Sequence, residues 1–496
     1  MALVRGNCGI VEKTVYFGVW IGSILYSCIS LLAISKKLRP LLNNEDFEEG
    51  RLLKEEKDVS DLEWEYWSKT VLRLTLPFTL HLLISFTMNH KSQEKIAIAL
   101  RVFVTLACVC MIFGILASFF IILKCLTMFL ISKTKCKSLI WFVCLSTLFI
   151  GRFETAKQFL FGNDDLAWYG FSVTYSWCNM RALSYGLDVS NGVNTSLFNF
   201  LKYFFYLPIF FCGPVITYES FQIGSNDPKK NQLQNIRWWN ILQISRYVFW
   251  YIVSEAVLHY FYFNAIQQEA FLVGKLGRWE LAGLGYAMGQ FFQMKYVFFY
   301  GLCGEIARID GVNAPPPPIC IGRVHLYSHM WRYFDRGLHS ILVKYIYVPI
   351  VKLNPSNFMK IAGSVLSFGY VFLWHGPYDF VLVWSILNCL GIIVEMIARK
   401  IGKTNSYKEF EMNLGYSHRR RFVVLLSVPL FAVSMVSNFY FFFGLKIGNI
   451  FAKRILFDCK SSFLFFILHI CMVKVVSAVK TRPTEGFKSA YKKDLW

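Results

Sequence analysis

Three stretches of this chain are too long, too apolar and too free of charge to belong anywhere but inside a membrane. Val15–Ile34, Val102–Leu123 and Phe422–Leu445 run for 20, 22 and 24 residues without one Asp, Glu, Lys or Arg. A bilayer core takes about 20 residues of helix to cross. Backbone in lipid must satisfy its own hydrogen bonds, so runs of this length read as helices. Less clean apolar stretches lie at 71–88, 138–150, 167–187, 199–222, 243–266, 280–303, 361–374, 378–394 and 461–473. About ten of these elements together are expected to span. The Pro-interrupted region of Pro208 and Pro214 is expected to be re-entrant. Composition agrees: 17% of residues are charged and 55% hydrophobic, against roughly a quarter charged in a soluble domain. Disordered and fibrous chains are excluded by the same figures. The fold class expected is all-α: one polytopic membrane-embedded domain over 1–496. Val15–Ile34 has Lys36, Lys37 and Arg39 after it and no small-residue cleavage site, so it reads as a retained first helix rather than a removed signal peptide.

The formal charge is +21. The bases sit in short loops between apolar runs, the distribution of the positive-inside rule and of contact with anionic lipid, so no nucleic-acid partner is expected. Seven bases between 395 and 421 (Arg399, Lys400, Lys403, Lys408, Arg419, Arg420 and Arg421) argue for a cytosolic loop. The span before it then puts His375 toward the opposite, lumenal side. The basic tail 480–496 returns to the cytosol, and 446–460 reads as a lumenal loop that keeps four bases. One acidic block, 45–65, holds ten acids against three bases. Its end, Asp61-Leu62-Glu63-Trp64-Glu65-Tyr66-Trp67, looks like an interfacial aromatic anchor. The 14 cysteines show no zinc-like spacing.

Polar groups at membrane depth are costly and tend to face a bundle interior or a water-filled path. His375 sits in Trp374-His375-Gly376-Pro377-Tyr378-Asp379, between two apolar stretches. In Met330-Trp331-Arg332-Tyr333-Phe334-Asp335-Arg336-Gly337-Leu338-His339, charged and aromatic residues share a segment too short to span. Asp335 with its arginines is either a structural ion cluster or the lining of a polar cavity. Asn438 lies sixteen residues into Phe422–Leu445, about 24 Å deep at 1.5 Å per residue, near the depth inferred for His375. Glu255 and His259, four apart, read as a structural pair. Composition and spacing stop at a polytopic protein with a polar tunnel, which a proton-coupled transporter also has.

These segments resemble the membrane-bound O-acyltransferase family. Trp331-Arg332-Tyr333-Phe334-Asp335 with Tyr345-x-Tyr347-x-Pro349 is similar to its first catalytic block, and Trp374-His375-Gly376 to its histidine block. Tyr206-Leu207-Pro208, Gly213-Pro214 and Tyr218-Glu219-Ser220-Phe221 resemble its earlier Pro-rich signature. Asp335, where many lipid-modifying members carry Asn, resembles the hedgehog-acyltransferase branch, its arthropod form in particular. So do Pro315–Pro318 with Cys320-Ile321-Gly322-Arg323, and Trp384-Ser385-Ile386-Leu387-Asn388. A sister branch lacks the histidine; this chain keeps it.

The resemblance implies a catalytic core over about 167–445 in an endoplasmic reticulum, or Golgi, membrane protein. It implies transfer of palmitate from palmitoyl-coenzyme A to the N-terminal cysteine of secreted ligands of the Hedgehog type, and in an arthropod the Spitz type. His375 is then the base and Asp335 the second catalytic residue. Trp331 packs on the acyl chain, Arg332 helps hold the donor, and Asn438 hydrogen-bonds the thioester carbonyl. On sequence alone Cys320 reads as inert, whereas the resemblance makes it the thiolate ligand of a haem b. Two rivals remain: the same chemistry on a Wnt protein, sterol or lysophospholipid, and a proton-coupled transporter. The transporter predicts repeated halves, and no repeat is found. A silent scaffold is disfavoured by His375 and Asp335 together.

Overall fold

The computed structural model describes residues 10–458, apart from 51–52, 89–90, 151–152, 226–237 and 324–325. The expected span 461–473 and basic tail 480–496 lie outside the described residues. The described chain is a bundle of helices, with one two-residue antiparallel ladder pairing Phe47 with Asp58 and Glu48 with Lys57. The helices that build the site and its frame are α1 (Ile10–Leu38), α2 (Leu62–Arg73), α3 (Thr75–Thr87), α4 (Glu94–Ser132), α5 (Lys137–Ile150), α6 (Asp165–Ser190) and α7 (Trp238–Leu258). After them come α8 (Arg278–Ile309), α9 (Tyr327–Tyr333), α10 (Arg336–Leu342), α11 (Asn357–His375), α12 (Asp379–Ile401) and α13 (Tyr416–Ala452).

Among the described residues, five helices are long and apolar enough to cross a membrane, or up to seven if each of two bent pairs is one span. The α2–α3 pair, bent by 45°, is one of these. Helices α6, α8 and α11 have spanning length, at 26, 32 and 19 residues, but carry more polar residues, which accounts for the difference from the ten or so spans expected. Helix α4 extends well past the 22-residue apolar run on both sides and breaks at Gly114, whose φ of 82° favours glycine. In α13, Gly444 with φ 73° makes a similar break. The helix then resumes to Ala452 and continues as a π turn over Lys453–Phe457. The region expected as a loop at 446–460 is therefore helical through most of its described part.

The Pro-rich signature forms irregular backbone at depth. Every residue from 205 to 217 is buried. Backbone like this persists in a membrane protein only when protein groups take its carbonyls, and they do. The fully buried Arg181 guanidinium donates to the carbonyls of Ile209 and Phe210. Thr105 and Tyr203 hydroxyls donate to those of Phe205 and Ile216, at 2.8 and 2.7 Å.

Helix α8 is the spine. It packs along α1 and α7, while α12 packs along α13 and α4 along α6. Small residues permit the closest approaches. A Cβ on Gly283 would overlap the Ser27 carbonyl of α1, and one on Gly301 would overlap the Tyr247 ring of α7.

The acidic block's aromatic end is core rather than interface. Trp64 and Trp67 are 0% and 1% exposed. Asp61 starts α2 by accepting the Trp64 N–H at 2.7 Å, an N-cap. The Trp64 indole donates to Glu255 at 2.6 Å, and Lys57 joins the same carboxylate at 3.1 Å. Glu255 thus turns its carboxylate to α2 and Lys57, while His259 Nδ1 meets the Glu255 backbone carbonyl at 2.9 Å.

Candidate active site

Trp331, Asp335, His375 and Asn438, separated by up to 107 positions in sequence, line one cavity of about 320 Å³. Its other walls come from α1, α8, α12 and α13. The structure thus brings together four of the six residues singled out by sequence. Arg332 and Cys320 are not among the lining residues.

Asp335 is placed by its local sequence. It stands at the N-cap of α10, and its Oδ1 accepts the Leu338 N–H at 2.8 Å. Gly337 follows because a Cβ there would overlap the Val215 carbonyl of the buried irregular segment. The second carboxylate oxygen accepts the Tyr300 hydroxyl of α8 at 3.0 Å. Asp335 is thus held from two directions and keeps acceptor capacity toward the cavity.

His375 is the last residue of α11, and Gly376, at φ 113°, carries the chain away from the helix axis. The imidazole stands among aromatic rings: Trp374 at 4.6 Å, Phe441 at 5.0 Å and Trp384 at 5.3 Å between centroids, all nearly edge-on. The Trp374 indole reaches back to the Ser176 carbonyl at 3.4 Å and ties this turn to α6.

Trp331 packs edge-on against Phe368 at 4.7 Å, and its indole donates to Asn388 Oδ1 at 3.0 Å. Asn388 in turn donates to the Trp384 carbonyl at 2.8 Å. The Trp384 indole faces Asn438 Oδ1 at 3.4 Å, and Asn438 Nδ2 donates to the Ser434 carbonyl at 3.0 Å. One amide hydrogen of Asn438 is left over for a ligand. The ring positions of Trp331 and Trp384 are therefore fixed by two amides, Asn388 on α12 and Asn438 on α13, and His375 packs edge-on against Trp384.

Sequence reasoning missed Tyr300, Tyr296 and what lies behind them, and gave Asn388 a place in a motif but no role. Tyr296 also lines the cavity and donates to Glu63 at 2.9 Å. Lys295, 4% exposed, pairs with Asp61 at 2.7 Å and Glu63 at 2.8 Å. The signal was present: Lys295 lies inside the apolar run 280–303, where a charge requires a partner.

Cys320 is exposed. A Cβ built on the neighbouring Gly322 would lie 3.6 Å from its Sγ and 4.0 Å from Trp20. One thiolate can be an axial haem ligand, but a single exposed thiol near one indole does not enclose a haem. The arrangement lends that reading no support, and no step below passes through such a group. Among the described residues no group of three or more His, Cys, Asp or Glu is placed to hold a metal ion.

A cavity lined by a carboxylate and an imidazole and otherwise mostly by aromatic and aliphatic side chains suits a reaction on an acylated substrate. Comparison with known proteins agrees. The family model described as MBOAT, membrane-bound O-acyltransferase family, matches residues 161–437. The protein-cysteine N-palmitoyltransferase Rasp of Drosophila melanogaster is 29% identical over 461 residues, 88% of this chain and 89% of that protein. The protein-cysteine N-palmitoyltransferase HHAT of Mus musculus is 26% identical over 415 residues, 80% of this chain and 83% of that one. The HHAT-like protein of the same organism is 26% identical over 412 residues, 80% of each. With a match that covers more than half of its length and holds both Asp335 and His375, the chain belongs to the membrane-bound O-acyltransferase family.

Proposed function

We propose that this protein transfers palmitate from palmitoyl-coenzyme A to the N-terminal cysteine of secreted signalling proteins, of the Hedgehog type and of the epidermal-growth-factor-like Spitz type. The observation that carries the reading is the convergence of His375 and Asp335 on one largely apolar cavity, in a chain similar over most of its length to two protein-cysteine N-palmitoyltransferases.

The acceptor's α-amino group has a pKa of about 7.7–8.0 in the free state, so a histidine suffices as base. The amine nitrogen attacks the thioester carbonyl carbon and a C–N bond forms. The C–S bond breaks and coenzyme A leaves as thiolate. His375 takes the proton that the attacking nitrogen sheds and delivers it to the leaving sulfur. Asp335, held by Tyr300 and the Leu338 N–H, orients the incoming amine by accepting an N–H hydrogen bond from it. Asn438 offers its remaining N–H to the carbonyl oxygen, where negative charge develops. Trp331 packs beside the first methylenes of the chain. Arg332, off the cavity on α9, serves the coenzyme A phosphates on the approach to it. Coenzyme A enters from the cytosolic face and the peptide from the lumen of the endoplasmic reticulum. The loop between α12 and α13 and the basic tail then lie in the cytosol. A haem on Cys320 rests on the family resemblance alone; a Soret band in the purified protein that Cys320→Ala abolishes would reinstate it.

The test is transfer of labelled palmitate to a hedgehog N-terminal peptide by purified protein, with His375→Ala and an N-acetylated peptide beside it. Hydroxylamine-resistant label on the free-amine peptide, absent with the variant and with the blocked peptide, is expected. Label on lipids or a Wnt peptide with none on this one would overturn the acceptor.

A further inference from the structure

The cavity lining follows α8 from Tyr300, the partner of Asp335, through Gly289 to Leu281. Trp20 and Ile24 of α1 line it too, and Ser23 beside them returns its hydroxyl to the Val19 carbonyl at 2.6 Å. An acyl chain with its thioester beside Asp335 that runs along α8 buries its methylenes against these walls, which is favourable. Along α8 the rise from Tyr300, the partner of Asp335, to Leu281 is about 28 Å, and to Gly289 about 16 Å. Gly289 therefore stands partway down the wall.

A glycine inside a helix is unfavourable relative to alanine and needs a reason. At Gly283, Gly285 and Gly301 of α8 the reason is packing. A side chain at Gly283 would strike α1, one at Gly285 would meet Phe439 and Phe451 within 3.0 Å, and one at Gly301 would strike Tyr247. At Gly289 a Cβ meets only the Cδ1 of Ile321, at 3.3 Å, the far end of a flexible side chain. Ile321 lines the same cavity, and its backbone N–H is held by Gln293 at 3.0 Å. The volume left open at 289 thus belongs to the cavity rather than to a neighbouring helix.

We propose that Gly289, with Ile321 facing it, sets the length of acyl chain the enzyme accepts; this rests on the acyl-coenzyme A reading above. A side chain at 289 fills the passage and denies burial to the methylenes beyond it. Enlarging the passage at 321 extends the chain accepted.

The test compares palmitoyl-, myristoyl- and lauroyl-coenzyme A as donors to the hedgehog peptide, using full-length wild type, Gly289→Val and Gly289→Val/Ile321→Ala. Each methylene left unburied lowers use of a donor about fourfold. Gly289→Val is expected to lower the palmitoyl-to-lauroyl ratio about 15-fold for two excluded methylenes, with lauroyl transfer retained. The second substitution is expected to restore the ratio. Equal loss for all three donors, or an unchanged ratio, would overturn the proposal. If Gly289→Val does not fold, Ile321→Ala alone must shift use toward stearoyl-coenzyme A, and failure to do so overturns it equally. A wild type that uses none of the donors would overturn the donor reading itself, an outcome distinct from an unchanged ratio.

Discussion

Asp335 receives one hydrogen bond from its own helix and one from α8, and the two can be removed separately. Tyr300→Phe deletes the α8 bond and leaves the ring packed against Tyr296, 5.0 Å away. A hydrogen bond to a charged group is worth about 1.5–3 kcal/mol, so kcat should fall roughly 10- to 100-fold. KM for the acyl donor should change little, because the hydroxyl holds a carboxylate rather than the acyl chain. Steady-state kinetics on both substrates checks this; a raised donor KM at constant kcat would place Tyr300 in binding instead. Behind it, Lys295 balances Asp61 and Glu63, which are only 13% and 22% exposed at their side chains. Lys295→Met should destabilise the fold by about 3 kcal/mol, the low end for breaking a buried pair, because both carboxylates keep some contact with solvent. Thermal unfolding in detergent is the measurement, and adding Glu63→Gln should recover part of the loss.

Elements dock through contacts that sequence spacing does not display. Helix α1 meets α8 where Gly283 faces the Ser27 carbonyl, and α1 also closes one wall of the cavity. Gly283→Val should push α1 outward, lower stability by about 2 kcal/mol as an overpacked contact does, and reduce acyl transfer. Cross-linking between cysteines placed on α1 and α8 would register the displacement. The acidic segment is docked by Asp58. Its carboxylate accepts the N–H groups of Ser60, Asn264 and Ala265 at 3.1, 2.9 and 3.0 Å, and so caps the short helix Phe263–Gln268 from a distant part of the chain. Burial pushes this carboxyl up to about 7 against those hydrogen bonds. The folded state therefore holds a proton that the unfolded chain gives up near pH 4. The stability linked to it is fully present below that value and is lost as pH rises through 7. Melting temperature should be higher at pH 5 than at pH 8, and Asp58→Asn should flatten the difference. An unaltered pH dependence in the variant would assign it to another group.

At the scale of the whole molecule, the proposed sidedness makes a prediction independent of the chemistry. The connection between α12 and α13 carries Lys403 and Lys408 with further bases close on either side, a cytosolic signature. A protease site inserted near Lys408 should be cut in cells whose plasma membrane alone is permeabilised. Cutting only after the endoplasmic reticulum membrane is opened would invert the arrangement and put His375 on the cytosolic side.

The helical, membrane-embedded class was legible in the chain because 20 uncharged apolar residues have one stable solution in lipid, whatever surrounds them. Trp331, Asp335, His375 and Asn438 were legible because polar groups in such surroundings need a reason to be there, and the family pattern supplied the roles. Other outcomes belonged to tertiary packing. Trp64 and Trp67 read as an interfacial anchor because exposed aromatics next to acids look like one, yet Glu255 and Lys57 supply the partners that let Trp64 sink into the core. Arg332 sits one position from Trp331, but consecutive residues on a helix face different directions, and only Trp331 reaches the cavity. Residues 446–452 read as a lumenal loop from their charges, whereas the break at Gly444 lets the helix resume. Tyr300 and Gly289 went unnoticed because a tyrosine and a glycine in an apolar run carry no local signal. The meaning of each depends on which side chain the fold sets opposite it, Asp335 in one case and Ile321 in the other. Local composition and period thus determined what kind of object this chain is, since lipid acts on every residue alike. The pairing of groups far apart in sequence, on which the chemistry depends, arose only when α8 was laid against α1, α10 and α13.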